Sequence, residues 1–324
     1  MILIKEVSSA GTSWTRSNDT AHSWACQCVT PTGRIIAGAS TSSGIWYSDD
    51  NGINWTQSNK TSGKWGCLCV TPTRRIIVGS SGNDGIWYSD DNGVNWTQAI
   101  TSRKCFSLCV TPTGRVYAGT DSSIWYSDNN GENWTKITGD VDTSTNWLSL
   151  CVTSAGVVLA GSSNYGLWRT SDGTYWACAS ATQTPWSVLY VTSTGRIMAG
   201  NSTGITVCDD DIGANWSLRL DGPSIAALCT TSVGRIIATG SSGDNGFYYS
   251  DDNGEHWSHS NKNDGNFACL CTTPTGRVLA GSSEGFGIWY SDSVVESTVV
   301  TKYLNKPAVQ ELVTQFKAYV QSKK

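Results

Sequence analysis

The chain has 324 residues, of which 15% are charged, and its formal net charge is −4. A protein whose main partner is a nucleic acid normally carries a basic surface, so this composition argues against nucleic acid as the principal ligand. The chain has 34 glycines and 16 tryptophans but only 7 prolines, which favours an all-β structure with many tight turns.

The N-terminal segment, residues 1–14 (MILIKEVSSAGTSW), holds no sustained apolar run. We therefore expect neither a secretory signal nor a membrane span there. Residues 10–18 (AGTSWTRSN) resemble residues 51–59 (NGINWTQSN), which close the first complete repeat. This likeness predicts one strand that stands apart from its own unit.

A second phrase recurs seven times, first as CVTPTGRIIAG from Cys28 and last as CTTPTGRVLAG from Cys271. Its closing glycines are 39 to 42 residues apart in the sequence, and they are Gly38, Gly79, Gly119, Gly161, Gly200, Gly240 and Gly281. A period near 40 residues, built only from β-type segments, predicts a propeller or another β array.

Each unit resolves into four short strands. In the unit that starts at Trp65 they are WGCLCVT, RIIVG, GIWYS and VNWTQ, joined by the turn PTRR, the loop SSGND and the turn DDNG. Glycine suits the left-handed position of the first turn, and Arg74 replaces it in this unit alone. If the turn is kept, Arg74 costs about 1 kcal/mol.

The seventh unit stops at residues 287–293 (GIWYSDS) and lacks its fourth strand. The N-terminal strand supplies the missing one, and a ring closed in this way has no exposed sheet edge at its seam. We therefore predict an all-β fold, with one seven-bladed β-propeller over residues 1–293 and a linker and C-terminal helix over residues 294–324.

The 12 cysteines do not form an obvious disulfide framework. Pairs such as Cys26 and Cys28 lie two apart, on one face of a strand at about 6–7 Å, which is a poor geometry for mutual bridging. The same holds for Cys67 with Cys69 and for Cys269 with Cys271. We interpret the cysteines as small buried side chains of a protein made in a reducing compartment. No C-x-x-C pair is present, so we expect no metal site.

The turn after the third strand carries a second motif. SDDNGINW (48–55), SDDNGVNW (89–96) and SDDNGEHW (250–257) fit the pattern S-x-D-x-G-x-x-W. One copy has Asn129 in place of the aspartate, the copy TSDGTYW (170–176) is one residue short, and CDDDIGANW (208–216) is one residue long. The chain therefore resembles the Asp-box (BNR-repeat) propeller family. This resemblance implies the fold but says little about function, because binding proteins, assembly factors and glycosidases all share it.

The motif has two physical interpretations. In the first it is a turn in which Asp50 accepts backbone hydrogen bonds, Gly52 takes a positive φ and Trp55 is buried. In the second it is a calcium loop, but these turns lack the downstream glutamate of such loops. We favour the first interpretation and expect no metal and no cofactor.

The family resemblance makes a glycosidase the enzyme to consider. Sialidases need three converging arginines, whereas the recurring arginines here follow the first turn in six of the seven units and are spread around the ring; they are Arg34, Arg75, Arg115, Arg196, Arg235 and Arg277. A two-carboxylate glycoside hydrolase has no fixed spacing and stays an alternative. His22, His256 and His259 form no metalloprotease motif, and we assign no catalytic residue.

We expect ligands on the loop face, which carries the loops between strands 2 and 3 and those between blades. The candidate residues on this face are Trp24, Trp65, Trp147, Trp186, Asp84, Asp140, Asp142, Tyr165, Glu284 and Phe286. The four tryptophans stand at the start of first strands, where they either contact a glycan or protein or wedge between neighbouring blades.

The C-terminal segment predicts a helix, since residues 307–324 place apolar side chains on one stripe: Val309, Leu312, Val313, Phe316 and Val320. Residues 301–324 are similar to the C-terminal segments of tail and fibre proteins of gut bacteriophages. The resemblance implies a virion component, assembled in the host cytoplasm, whose helix contacts other virion proteins. Its loop face would bind a host-surface glycan or another virion protein. The alternatives are a cytoplasmic bacterial assembly factor, a lectin-like protein, or the glycoside hydrolase.

Overall fold

The computed structural model describes the backbone of residues 3–18, 22–141, 145–242, 246–262, 265–292 and 295–300, and the side chains of these residues except 3–8, 241–242 and 295–300. Within these residues 30 strands form eight antiparallel sheets, and there is no helix. Seven of the sheets have four strands each and are the blades of a ring. The predicted seven-bladed β-propeller is therefore confirmed.

The strands follow one another in chain order, four to a blade. Before blade 1 come β1 (Leu3–Ser8) and β2 (Thr15–Arg16). Blade 1 has β3 (Trp24–Val29), β4 (Ile35–Ala39), β5 (Ile45–Ser48) and β6 (Thr56–Gln57). Blade 2 has β7 (Trp65–Val70), β8 (Ile76–Ser80), β9 (Ile86–Ser89) and β10 (Thr97–Ile100). Blade 3 has β11 (Cys105–Val110), β12 (Val116–Thr120), β13 (Ile124–Ser127) and β14 (Thr135–Lys136).

The second half of the ring repeats this order. Blade 4 has β15 (Trp147–Val152), β16 (Val158–Ser162), β17 (Leu167–Thr170) and β18 (Ala177–Ser180). Blade 5 has β19 (Val188–Val191), β20 (Ile197–Asn201), β21 (Gly204–Cys208) and β22 (Ser217–Asp221). Blade 6 has β23 (Ser224–Thr230), β24 (Ile236–Ser242), β25 (Gly246–Ser250) and β26 (Ser258–His259). Blade 7 has β27 (Phe267–Thr272), β28 (Val278–Ser282) and β29 (Ile288–Ser291), and β30 (Val295–Val300) follows it.

The N-terminal strand closes the ring. β2 pairs with β29, with Thr15 opposite Tyr290 and Arg16 opposite Trp289, so the strand order in blade 7 is β2-β29-β28-β27. This confirms the closure predicted from the likeness of residues 10–18 to residues 51–59.

The chain segments on either side of this seam pair again outside the ring. β1 and β30 form a two-stranded antiparallel sheet in which Leu3 is opposite Val300 and Ser8 is opposite Val295. Because β2 and β29 are antiparallel, the residues before β2 and after β29 leave blade 7 at the same end and continue side by side. The sequence predicts a linker at residues 295–300, whereas these residues form a strand. The predicted helix residues Val309, Leu312, Val313, Phe316 and Val320 lie outside the described residues.

Second strands form the centre of each blade, and their closing glycines set the distance between blades. All five residues of β4 are buried. A Cβ atom on Gly38, at the end of this strand, would lie 2.7 Å from Cβ of Trp65 in the next blade and 2.6 Å from Sγ of Cys26. The first strand of the neighbouring blade therefore packs directly on the glycine backbone, which explains why this residue recurs.

The first turn keeps its geometry where Arg74 replaces glycine. In blade 1 the N–H of Gly33, at a φ of 87°, donates to the carbonyl of Thr30 over 2.9 Å. In blade 2 the N–H of Arg74, at a φ of 71°, donates to the carbonyl of Thr71 over the same distance. Arg74 therefore occupies the left-handed conformation that the sequence predicted.

All 12 cysteines are free, and only Cys178 is exposed. Burial raises the pKa of the Cys28 thiol to about 12, so this thiol stays protonated at neutral pH. Cys67 and Cys105 of neighbouring blades bring their sulfur atoms to 3.5 Å from each other. The cysteine spacing in the sequence does not predict this contact, because the two residues belong to different blades.

Candidate functional site

The Asp-box turn is held together by its own aspartate. Oδ1 of Asp50 accepts hydrogen bonds from the Ser48 hydroxyl and from the backbone N–H groups of Ile53 and Asn54, and Oδ2 accepts one from the Asn54 side chain. Partial burial acts to raise the pKa of Asp50, but these hydrogen bonds outweigh it and lower the pKa. Both oxygens serve the turn, as the first interpretation of the motif predicts.

The tryptophan of the motif packs under this turn. In blade 2 the indole of Trp96 is buried and its Nε1–H donates to the carbonyl of Gly93 over 3.1 Å. Gly93 has a φ of 86°, as the turn requires. Among the described residues, no three His, Cys, Asp or Glu side chains come together as metal ligands.

Five of the six recurring arginines join their blade to the next one. In blade 1 the guanidinium of Arg34 binds both oxygens of Asp49 in its own blade, at 2.6 and 2.7 Å. Its third nitrogen, Nη1, donates to the carbonyl of Asn92 in the Asp-box turn of blade 2 over 3.1 Å. The equivalent bonds from Nη1 to a carbonyl are Arg75–Asn130, Arg196–Asn253, Arg235–Ala10 and Arg277–Asn51. These arginines are therefore structural, and they do not converge on a common point.

The four candidate tryptophans lie inside the ring. Trp24, Trp65 and Trp147 have no exposed surface, and Trp186 is 5% exposed. Trp24, Trp65 and Trp147 each begin a first strand, and Trp186 lies two residues before one. Each is next to the closing glycine of the preceding blade, as the contact between Trp65 and Gly38 shows. In this structure they offer no ring face to a ligand, which favours wedging between blades over ligand contact.

The candidate carboxylates of the loop face belong to different blades. Oδ2 of Asp84 accepts from the Ser80 hydroxyl and from the backbone N–H of Lys64, so it holds its own loop. Glu284 in blade 7 accepts a hydrogen bond from the side-chain amide of Asn266. Asp140 is exposed in the loop between blades 3 and 4, and Asp142 lies outside the described residues. The structure does not bring Asp84 and Glu284 together as a catalytic pair.

The two candidate aromatic residues of the loops are exposed. Tyr165, 43% exposed, stacks on Trp168 with ring centroids 5.3 Å apart and planes 4° from parallel. Phe286 is 52% exposed at the equivalent loop of blade 7. These residues present flat apolar surface on the loop face, although they lie in separate blades.

A set of cations stacks on tryptophans at the loop face, and the sequence does not predict it. Nζ of Lys60 lies 3.8 Å from the ring centroid of Trp87, and Nζ of Lys262 lies 3.8 Å from that of Trp289. Each lysine comes from the loop that precedes the blade of its tryptophan, so sequence spacing alone could not pair them. The loop face therefore combines aromatic and cationic groups.

Two cavities lie on the ring axis. The larger, about 860 Å³, opens on the Asp-box face, which carries the first turns and the Asp-box turns, and Val29, Thr30 and Pro31 with their equivalents line it. The smaller, about 230 Å³, is nearer the loop face and is lined by residues such as Leu68 and Leu108. The described residues that line the larger cavity include no ionisable side chain, so it lacks groups for acid–base chemistry.

Three segments of the chain, residues 46–57, 125–136 and 248–259, match the BNR/Asp-box repeat. The chain is therefore a seven-bladed β-propeller that carries BNR/Asp-box repeats. Among curated proteins no sequence matches it. No helix in the described part of the chain is long and apolar enough to cross a membrane.

Solved structures share the fold at low sequence identity. The extracellular domain of the putative one component system BT4673 from B. thetaiotaomicron is 14% identical, with a TM-score of 0.69 over 87% of this chain and 40% of that one. The chain thus spans two fifths of that relative. YCF48 bound to D1 peptide is 16% identical, with a TM-score of 0.66 over 94% and 100%. Streptogramin B lyase is 12% identical, with a TM-score of 0.70 over 91% and 98%. At these identities the likeness shows the fold alone.

Proposed function

We propose that this chain is a non-catalytic recognition propeller whose loop face binds a glycan or a protein. The observation that carries this proposal is the exposed ring of Tyr165, held flat against Trp168 on the loop face. An aromatic face fixed in this way suits stacking against a sugar ring or an apolar side chain, because little conformational freedom is lost on binding.

The charges of the loop face support recognition over catalysis. A glycoside hydrolase needs a carboxyl group that gives up a proton beside a second carboxylate. Asp84 and Glu284 instead accept hydrogen bonds within their own blades and lie in blades 2 and 7. Among the described residues, the carboxyl groups whose pKa is displaced are all displaced downward, and all are in Asp-box turns: Asp50, Asp91, Asp172, Asp210, Asp252 and Glu255.

The setting that we propose is a bacteriophage virion, in a tail, fibre or baseplate. Its support is the similarity of residues 301–324 to the C-terminal segments of tail and fibre proteins. In this proposal the C-terminal segment, with Leu312 and Phe316 on its apolar stripe, contacts other virion proteins. The free cysteines agree with assembly in a reducing host cytoplasm.

An assembly factor is the second candidate function. It is favoured by the structure of YCF48 bound to D1 peptide, which matches 94% of this chain. In that case the ligand of the loop face would be a peptide segment of a client protein.

The test is a glycan array probed with the full chain, run beside an assay for reducing sugar released from the same glycans. We expect specific binding without sugar release, and we expect Asp84→Asn and Glu284→Gln to keep the binding. Sugar release that disappears in either variant would replace the recognition module with a hydrolase. An array without binding would remove the glycan from the proposal, and capture of a defined peptide would then indicate the assembly factor.

A further inference from the structure

The ring departs from its sevenfold pattern at the junction of blades 3 and 4, where the Asp-box turn is one residue short. The hydroxyl of Thr170 accepts from the N–H of Gly173 over 2.8 Å, as the hydroxyl of Ser48 accepts from Gly52 over 2.9 Å in blade 1. Asp172 accepts hydrogen bonds from the N–H groups of the two residues after the glycine, Thr174 and Tyr175, as Asp50 accepts from the two residues after Gly52. The residue that is missing therefore corresponds to Asn51, which has a φ of 60° and whose carbonyl accepts the clamp from Arg277.

Arg115 consequently keeps its ion pair with Asp128 but has no hydrogen bond to a carbonyl of the next blade. Its Nε and Nη2 atoms bind Asp128 at 2.6 and 3.0 Å, but blade 4 has no equivalent of the Asn51 carbonyl for Nη1. The Arg115 side chain is 30% exposed, whereas Arg34, Arg75 and Arg277 are 13–17% exposed. The Arg115 side chain hydrogen-bonds instead to the Tyr117 hydroxyl of its own blade, and Asp128 and this hydroxyl together raise the pKa of Arg115. Because Nη1 carries two N–H groups, one of them remains for a ligand here.

Tyr117 makes the position of the missing turn residue polar. In the other blades an aliphatic side chain lies beneath the glycine of the next turn, and these residues are Ile36, Ile77, Leu159, Met198, Ile237 and Leu279. In blade 3 the Tyr117 hydroxyl occupies this position, and a Cβ atom on Gly173 would contact both this hydroxyl and Nη1 of Arg115 at 2.6 Å. A donor and a second hydrogen-bonding group therefore face the place of the missing residue.

A cavity of about 700 Å³ opens at this junction on the Asp-box face. Its lining includes Thr113, Arg115, Tyr117, Ser154, Ser171 and Asp172. Asp128 offsets the charge of Arg115, and Asp172 adds a further negative charge, so the cavity does not favour an anion. A neutral acceptor such as an amide carbonyl fits these charges, and a peptide carbonyl occupies this position at the other clamps.

We propose that the junction of blades 3 and 4 is a binding site for a peptide segment of a partner protein, which places a backbone carbonyl on Nη1 of Arg115. The segment occupies the position of the missing turn residue, and the Tyr117 hydroxyl hydrogen-bonds to the same segment. This site is on the Asp-box face, so it stands or fails independently of the loop-face recognition proposed above.

The test is an NMR titration of the full chain with the peptide Ac-Asp-Asn-Gly-NH2, which copies the turn of the other blades. We expect shifts at Gly173 and Tyr117, with a Kd on the order of 1 mM, because the contact consists of a few hydrogen bonds and little buried area. Signals at Gly52, where the clamp is complete, serve as the internal control and should not move.

The matched variant inserts an asparagine between Asp172 and Gly173, which restores the standard turn and fills the site from within. It should weaken peptide binding at least about tenfold, and Tyr117→Ile should weaken it as well. If the insertion prevents folding, Arg115→Gln provides the same comparison. No shift in the unmodified chain, or equal binding in the variants, would overturn the proposal.

Discussion

Nη1 of Arg277 donates to the backbone carbonyl of Asn51 over 2.9 Å, and this bond joins the last blade to the first across 226 residues of sequence. On the other side of blade 7, Nη1 of Arg235 donates to the carbonyl of Ala10 over 3.2 Å. Blade 7, which the N-terminal strand completes, is therefore joined to both of its neighbours. The arginines that recur after the first turn of the units thus hydrogen-bond to the neighbouring blades in the ring.

Replacing Arg277 by alanine should lower the free energy of unfolding by about 1–3 kcal/mol, because a charged donor to a partly buried carbonyl is lost. Urea unfolding followed by tryptophan fluorescence measures this change. Arg115→Ala is the matched control, since Arg115 has the ion pair with Asp128 but no carbonyl partner in the next blade. Its cost should be about 0–1 kcal/mol, as for an exposed ion pair. Equal losses in the two variants would contradict the clamp.

Arg74→Gly should stabilise the protein by up to about 1 kcal/mol, because glycine adopts the positive φ of this turn without the steric cost of a side chain. The reciprocal change, Gly33→Arg in blade 1, should destabilise by a similar amount. Nothing lies within 4 Å of a Cβ atom at Gly33, so the reciprocal change isolates the backbone term from packing. Thermal unfolding of both variants compares them, and a stabilising Gly33→Arg would refute this explanation.

The Asp-box aspartates should make the fold sensitive to acid. Burial opposes ionisation of Asp252, but hydrogen bonds from the backbone and side chain of His256 and from Ser250 outweigh it, so the folded pKa is about 2. The unfolded value is about 3.9, so this carboxylate stabilises the fold above about pH 4, and its contribution is lost as the pH falls towards 2. Asp252→Asn should reduce the loss of stability between pH 7 and pH 3, as measured by urea unfolding at each pH.

Blade 3 offers the reciprocal variant for this prediction. Oδ1 of Asn129 already accepts from the Ser127 hydroxyl and the Asn133 N–H, both over 2.9 Å, so an amide is sufficient to hold the turn. Asn129→Asp adds a titrating group and should increase the acid sensitivity. Unchanged pH dependence in both variants would mean that acid unfolding starts elsewhere in the ring.

Trp147→Ala should destabilise the protein by about 3–5 kcal/mol, because it leaves a cavity between blades 3 and 4. Tyr165→Ala removes an exposed aromatic ring of the same loop face and should change the stability much less. Chemical unfolding of the two variants decides between a packing role and a contact role for the tryptophans. A Trp147→Ala variant with native stability would contradict the packing role and make Trp147 a candidate ligand contact again.

The sequence predicts the ring because one unit recurs seven times, and because residues 10–18 resemble the fourth strand that the last unit lacks. It also predicts the turn at Arg74, since local chemistry decides that conformation. It leaves the role of Trp65 open, because only the packing of this indole against Gly38 of the preceding blade shows that no ring face remains exposed. The pairing of β1 with β30 is not predicted, since neither strand repeats anything else in the chain. The sequence shows that the turn at Asp172 is one residue short. Only the structure shows that Arg115 of the neighbouring blade therefore has no carbonyl partner.

The most direct test of loop-face recognition is to measure binding of one glycan, selected on the array, by two matched variants. One variant combines Tyr165→Ala with Phe286→Ala on the loop face, and the other is Tyr175→Ala, which removes an 81% exposed tyrosine from the Asp-box face. We predict that the loop-face variant weakens binding at least about tenfold, a loss of roughly 1.4 kcal/mol, while Tyr175→Ala binds as the unmodified chain does. Binding that survives the loop-face changes but is lost in Tyr175→Ala would contradict the account.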